Sequence, residues 1–236
     1  MNATQRVLTA LEARLRARFR LIDVDVRLPW SGARYRLSQP ASFDRLLTAA
    51  AGDPEQQVPY WATLWPSGVA LADLALQRQR QLRGQRVLEL GCGLGLTATA
   101  VMEAGADLLV TDYAPEALLL CRQAVLRNTE RAPRTWRINW RQPPERWLRL
   151  APWPLVLAAD VLYEARDVMP LLRLIEQIVA PDGLLWLAEP GRTPAEQFVE
   201  RLCSRGWRAT TVLHAGPWPD PQDARIVVRI HLLQRS

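Results

Sequence analysis

The chain has 236 residues, 49% hydrophobic and 23% charged, the balance of a soluble globular protein large enough to bury a full core in one domain. Its formal charge is +6 with all 30 basic residues arginine, which is weak ground for a nucleic-acid partner. No apolar run approaches the ~20 residues that cross a bilayer, and the N-terminus lacks the apolar core and cleavage site of a secretory signal. Cys92, Cys121 and Cys203 are scattered without a C-x-x-C pair, so a cytoplasmic chain with reduced thiols, no membrane partner and no metal is expected.

In chain order, residues 3–18 read as an amphipathic helix, with Val7, Leu8, Leu11 and Leu15 opposite a solvated arginine face. Ile22, Val24, Val26 and Leu28 alternate with polar residues as a strand does, and Tyr35 and Leu37 return as a second strand after a turn at Pro29, Ser31 and Gly32. Residues 40–58 read as irregular except for a short helix at Phe43–Ala50. Ser67 is placed to cap the next helix, which carries Val69, Leu71, Leu74 and Leu76. Strands are then expected at Arg86–Leu90, Asp107–Asp112, Thr135–Ile138, Leu155–Asp160 and Leu184–Ala188. Helices alternate with them, near 94–103, from Pro115, over Val168–Val179 and over Pro194–Ser204. That alternation implies a parallel sheet covered on both faces. Trp207–His214 and Arg225–Leu233 follow without a helix between them, so they form an antiparallel hairpin at the sheet's end. The expected fold is an α/β, Rossmann-like, open and mostly parallel seven-stranded sheet. Residues 1–57 form an N-terminal extension of the same domain as 58–236.

Chemistry concentrates in residues 87–95, Val-Leu-Glu-Leu-Gly-Cys-Gly-Leu-Gly. A strand enters Gly91, Gly93 and Gly95, and small residues there let backbone approach a ligand at a strand end. Nineteen residues after Gly93 the next strand ends in Asp112, whose carboxylate can accept from both hydroxyls of a ribose. A nicotinamide dehydrogenase is the rival reading. Its G-x-G-x-x-G fingerprint needs glycine where this chain has Leu96. That rival falls behind.

Three stretches together resemble the class I S-adenosylmethionine-dependent methyltransferases that include the seven-β-strand protein-lysine methyltransferases. They are residues 87–96, residues 59–68 (Pro-Tyr-Trp-Ala-Thr-Leu-Trp-Pro-Ser-Gly) and the Asp-x-x-Tyr of Ala-Asp-Val-Leu-Tyr-Glu at 159–164. Glu189-Pro190-Gly191-Arg192 is similar to an Asp-Pro-Gly-Arg stretch in enzymes that modify the β subunit of electron-transfer flavoprotein, with Glu for Asp. The resemblance implies S-adenosylmethionine as cofactor. It places Trp61 and Trp65 near the methionine end and Asn139 and Trp140 around the adenine, where relatives commonly carry Asp-Trp. Glu89, Gly91, Gly93, Gly95, Asp112, Tyr113 and Ala159 complete the expected cofactor set.

Asp160 and Tyr163 are the expected catalytic pair, accepting from and orienting an incoming amine. Asp160 positions without strong base catalysis, because a carboxylate favours the ammonium while only the neutral amine attacks. Nucleobase enzymes typically show Asn/Asp-Pro-Pro-aromatic at this strand end, whereas Asp160 is followed by Val161-Leu162-Tyr163, which disfavours nucleic acid. A protein lysine is the expected acceptor. A small-molecule substrate, or a cofactor-binding scaffold without catalysis, are the alternatives.

Overall fold

The computed structural model describes residues 2–50, 52 and 58–235. Residues 51 and 53–57 of the stretch expected to be irregular at 40–58, and with them the boundary at 57, lie outside these. The chain opens with helix α1 (Ala3–Arg16), whose first turn is capped by Asn2 Oδ1 accepting from Gln5 N at 2.8 Å. Its inner stripe is narrower than the sequence suggests. Leu11 and Leu15 are buried and Leu8 packs against the core, but Val7 is 42% exposed. Strands β1 (Leu21–Arg27) and β2 (Arg34–Pro40) form a separate antiparallel hairpin, and α2 (Phe43–Ala50) follows.

The remaining strands are β3 (Arg86–Leu90), β4 (Asp107–Asp112), β5 (Arg134–Arg137), β6 (Trp153–Ala159), β7 (Val179–Glu189), β8 (Arg208–His214) and β9 (Val228–Gln234). They form one sheet in the order β5-β4-β3-β6-β7-β9-β8, parallel except for β9, which runs antiparallel to both β7 and β8. The mostly parallel sheet and the terminal hairpin are as expected. Strand β7 begins earlier than the apolar run 184–188, since Val179 already pairs with Trp153.

Period-two alternation explains the layers. Val87, Val110 and Leu157 face one apolar cluster, where α3 (Pro66–Gln77), α5 (Leu96–Glu103) and α6 (Pro115–Thr129) pack. Leu88, Leu90 and Val156 face the other, covered by α8 (Val168–Ile178) and α9 (Thr193–Cys203). Two one-turn helices escape the sequence pattern, α4 (Gln79–Leu82) and α7 (Glu145–Leu148), each too short to show a 3.6-residue period.

Pro66 takes the first helical position of α3, so Ser67 lies inside the helix and not at its cap. The cap position is Trp65, with no side-chain cap bond. The serine hydroxyl is thereby released for a partner described below.

Polar contacts on α6 carry the N-terminal hairpin. Asn128 exchanges two 2.9 Å hydrogen bonds with the backbone of Arg36, and Arg127 bonds Glu12 at 2.7 Å and Asp23 at 3.0 Å. A second tie lies at the hairpin's turn. Buried Asp73 of α3 accepts from Trp30 N at 2.6 Å and Ser31 N at 2.8 Å, and His214 Nε2 lies 3.4 Å away. The imidazole stacks on Trp30 at 3.7 Å between ring centres, and its Nδ1 accepts from Gly216 N. One carboxylate thus joins the N-terminal hairpin to the C-terminal one.

Asp73→Ala strips the acceptor from two backbone donors and from the buried His214 imidazole, so it should cost about 3 kcal/mol of unfolding free energy in urea titrations. A loss below 1 kcal/mol, roughly what an exposed pair contributes, would show that the tie carries no weight.

Candidate active site

The chain runs outward from β3 to β4 and β5, then returns to place β6 on the other side of β3. Such a reversal leaves a crevice beyond the carboxyl ends of the strands. A cavity of about 370 Å³ occupies it.

Its floor is the loop after β3. Gly91, Gly93 and Gly95 all have positive φ, at 71°, 50° and 85°. Gly95 has a second constraint, since a Cβ there would stand 2.5 Å from the Cα of Cys121 on α6. The helix starting at Leu96 therefore packs too closely for any side chain at 95. Gly91 meets the same limit from the opposite side, 2.8 Å from Val161 Cγ1.

Asp112, at the end of β4, organises this floor. Its Oδ2 accepts from Gly93 N at 3.1 Å and its Oδ1 from Ala114 N at 2.9 Å. Burial nevertheless raises its carboxyl above the usual aspartate range, against those hydrogen bonds and the others it accepts. Donors from a ligand on the cavity side would favour the ionised form. Its position on the cavity wall, with both oxygens acceptors only when ionised, suits it to a hydroxyl-bearing ligand.

Glu89 is the second buried carboxyl. It is pushed up to about 8, first by burial and then by the charge of Asp112, and its Oε2 has no hydrogen-bond partner in the structure. At neutral pH it is protonated.

Nearly all the residues singled out from sequence line the cavity. Gly91, Gly93, Asp112 and Tyr113 line its floor, Asn139 and Trp140 the end beyond β5, and Trp61 and Trp65 the approach to α3. Ala159, Asp160 and Tyr163 contribute the wall after β6. Two do not reach it. Glu89 points into the core beneath the loop, and Gly95 faces Cys121, so both shape the wall from behind. Asn139 Oδ1 accepts from Arg141 N at 3.0 Å, so its side chain also holds its own turn.

Sequence reasoning missed the contribution of the N-terminal elements. Phe19, Leu46, Pro59 and Tyr60 close the cavity from that side. Tyr60 is the hub: its ring lies 4.8 Å from that of Tyr163 and 5.8 Å from that of Trp65, both edge-on. Trp65 Nε1 donates to Tyr60 O at 2.8 Å and locks the turn. Aromatic residues in a turn signal packing, and nothing in their spacing says against what.

Asp160 has an unusual backbone and crowded oxygens. Its φ is 54°, a left-handed value that Asp tolerates better than most residues. Its N–H donates to Ala188 O at 2.9 Å, anchoring it to β7. Ser67 Oγ approaches Oδ2 at 3.5 Å, and Arg192 Nε donates to Oδ1 at 2.8 Å. The Tyr163 hydroxyl is kept protonated first by burial, then by the charges of Asp167, Asp112 and Glu164. Among the described residues, no cluster of three His, Cys, Asp or Glu could hold a metal ion, and no helix is long and apolar enough to cross a membrane.

Residues 55–205 match a family described as lysine methyltransferase. The chain is 26% identical to the histone-arginine methyltransferase METTL23 of Xenopus laevis over 157 residues, covering 65% of this chain and 67% of that protein. It is 30% identical to the electron transfer flavoprotein beta subunit lysine methyltransferase of Xenopus laevis over 136 residues, covering 57% and 53%. The chain thus spans between about half and two thirds of these relatives. Its fold is that of magnesium protoporphyrin IX methyltransferase from Synechocystis, solved with bound S-adenosylmethionine. There the TM-score is 0.55 at 16% identity, over 83% of this chain and 92% of that one.

Glu89 generates a pH dependence whose sign follows from its raised value. An unfolded glutamate loses its proton near ~4.3, whereas the native one holds it to about 8. Between those values the native state binds the extra proton, so this group's contribution to stability falls by up to about 1.4 kcal/mol per pH unit as pH rises. Glu89→Gln should remove that slope in urea titrations run from acid to mildly alkaline pH. Equal slopes in both proteins would show that Glu89 does not titrate in this window.

Proposed function

The chain belongs to the lysine methyltransferase family, and on that premise we propose that it transfers a methyl group from S-adenosylmethionine to the side-chain amine of a protein lysine. The observation that carries the reading is the convergence of Asp112 and Asp160 on one cavity. One carboxylate suits a ribose and the other would face an acceptor, with a glycine floor between them.

S-adenosylmethionine, when bound, supplies an electrophilic methyl group on a good leaving group, so the protein needs to supply alignment and a dry site. Asp112 would hold the ribose hydroxyls, supported by its two backbone donors. Tyr113, Asn139 and Trp140 would surround the adenine, with Trp61 and Trp65 toward the methionine end. Gly91 and Gly93 would let backbone approach the ligand. Glu89 and Gly95 would act through the shape of the loop, and Ala159 would leave room beside it.

Asp160 would accept a hydrogen bond from the acceptor nitrogen. Tyr163, neutral at working pH, would orient the amine and, with Tyr60 and Trp65, keep water out. A lysine amine has a reference pKa of ~10.4 and must lose its proton before transfer; no strong base stands at Asp160, so that proton would leave through water. Residues 1–57 and 58–236 would act as one domain, the first part closing the cavity. A cytoplasmic location accords with three cysteines that are all free thiols.

Radiolabelled methyl transfer into a cell lysate, followed by acid hydrolysis of the protein fraction, should yield methyllysine. Label confined to nucleic acid or small molecules would overturn the acceptor assignment. Asp160→Asn retains a residue tolerant of positive φ. It should lower transfer by about a hundredfold, in line with loss of one well-placed polar group, and leave S-adenosylhomocysteine affinity nearly unchanged by calorimetry. Asp112→Ala should do the reverse and lower that affinity first.

A further inference from the structure

Asp160 does not meet the cavity as a bare carboxylate. Arg192 Nε donates to its Oδ1 at 2.8 Å and Nη2 to its Oδ2 at 3.4 Å. With Ser67 on Oδ2, three of the carboxylate's roughly four lone-pair sites are engaged. The Asp160 side chain is only 7% exposed and that of Arg192 37%, so the acid lines the cavity while the more exposed arginine reaches it from outside the lining.

The arginine is braced from behind. Glu189, at the end of β7, accepts from Gly191 N at 2.5 Å and Arg192 N at 2.8 Å through Oε2. Its Oε1 lies 3.2 Å from His231 Nε2 on β9, and His231 Nδ1 lies 2.9 Å from Thr211 Oγ1 on β8. Burial would raise the Glu189 carboxyl, but His231 and the two backbone donors outweigh it and hold it below the usual glutamate range. The terminal hairpin thus fixes the loop that delivers a guanidinium to Asp160.

We infer that Arg192 is a specificity-determining positioning residue: it neutralises Asp160, so that the transfer site takes its acceptor as a neutral primary amine and rejects a guanidinium. This rests on the function proposed above. An uncompensated carboxylate would hold an ammonium and favour its protonated form. A carboxylate paired with arginine keeps a lone pair for an N–H and offers little net charge. Lysine can enter by losing its proton, whereas the guanidinium of arginine stays charged and would meet Arg192 as a like charge. The device therefore separates two acceptor classes that occur among the chain's relatives, whose names include both lysine and arginine methyltransferases.

Calorimetry on the full chain at neutral pH can read this without turnover. The probes are S-adenosylhomocysteine, neutral at sulfur, and sinefungin, which carries an ammonium on the carbon that replaces sulfur. The wild-type chain should bind the two within about threefold, because a neutralised carboxylate attracts a cation weakly. Arg192→Met and Arg192→Gln should shift the ratio toward sinefungin on the order of tenfold, as a charged hydrogen-bond acceptor is freed. Arg192→Lys should restore the wild-type ratio. Neutral variants that keep the wild-type ratio overturn the inference, as does a wild-type chain that already prefers sinefungin tenfold. If both neutral variants lose S-adenosylhomocysteine binding through misfolding, the wild-type ratio decides alone. Wild-type protein that binds neither probe sinks the cofactor reading itself, a distinguishable failure.

Discussion

The cavity depends on the carboxylate of Asp112 grasping two backbone N–H groups at once. Gly93 N belongs to the loop after β3 and Ala114 N to the turn after β4. Bonding both from one side chain fixes the gap between neighbouring strand ends, where a parallel sheet otherwise leaves loops free to splay. Gly95 completes the constraint, since contact with Cys121 brings α5 and α6 together directly behind the loop. Neither contact works without the other. A side chain at 95 would push the helices apart and lift Gly93 away from Asp112.

Burying acids at this junction costs desolvation, and the structure handles that cost differently at each carboxyl. Asp112 is held by hydrogen bonds that partly offset burial, and Glu89 keeps its proton. Asp160 and Asp73 take a third course, each meeting a basic side chain and an additional hydrogen-bond donor. At Asp112, on the cavity floor, the partners are backbone donors of the loops, whereas Asp160 in the cavity wall carries the Arg192 guanidinium. Deeper in the fold the partner can be bulky, as His214 is against Asp73.

The N-terminal elements and the C-terminal hairpin flank the same crevice. Tyr60 fills space beside Tyr163 and Trp65, and Phe19 lies edge-on to Trp61 at 6.1 Å. From the opposite side, β8 and β9 hold Glu189 and so Arg192. The strand ends thus form a floor, the N-terminal elements a wall, and the terminal hairpin acts on the cavity only through Glu189 and Arg192.

Strand and helix order was legible in the sequence because each element buries an alternating or helical stripe. The glycine loop, Asp112 and the Asp160–Tyr163 spacing were equally legible, because each requires particular residue types at fixed local separations. Ser67 was misread as a cap because Pro66 shifts the helix start by less than a turn, beyond what pattern resolves. Leu46, Tyr60 and Arg192 gained their places only through contacts made far along the chain. Arg192 lies 32 residues from Asp160 and is delivered by a glutamate whose own partner is 42 residues further on. Local spacing determined the strand ends and the glycine loop between them. Only tertiary packing decided that Asp160 would carry an arginine, because pairing across β7 and β9 sets that distance and no local rule does.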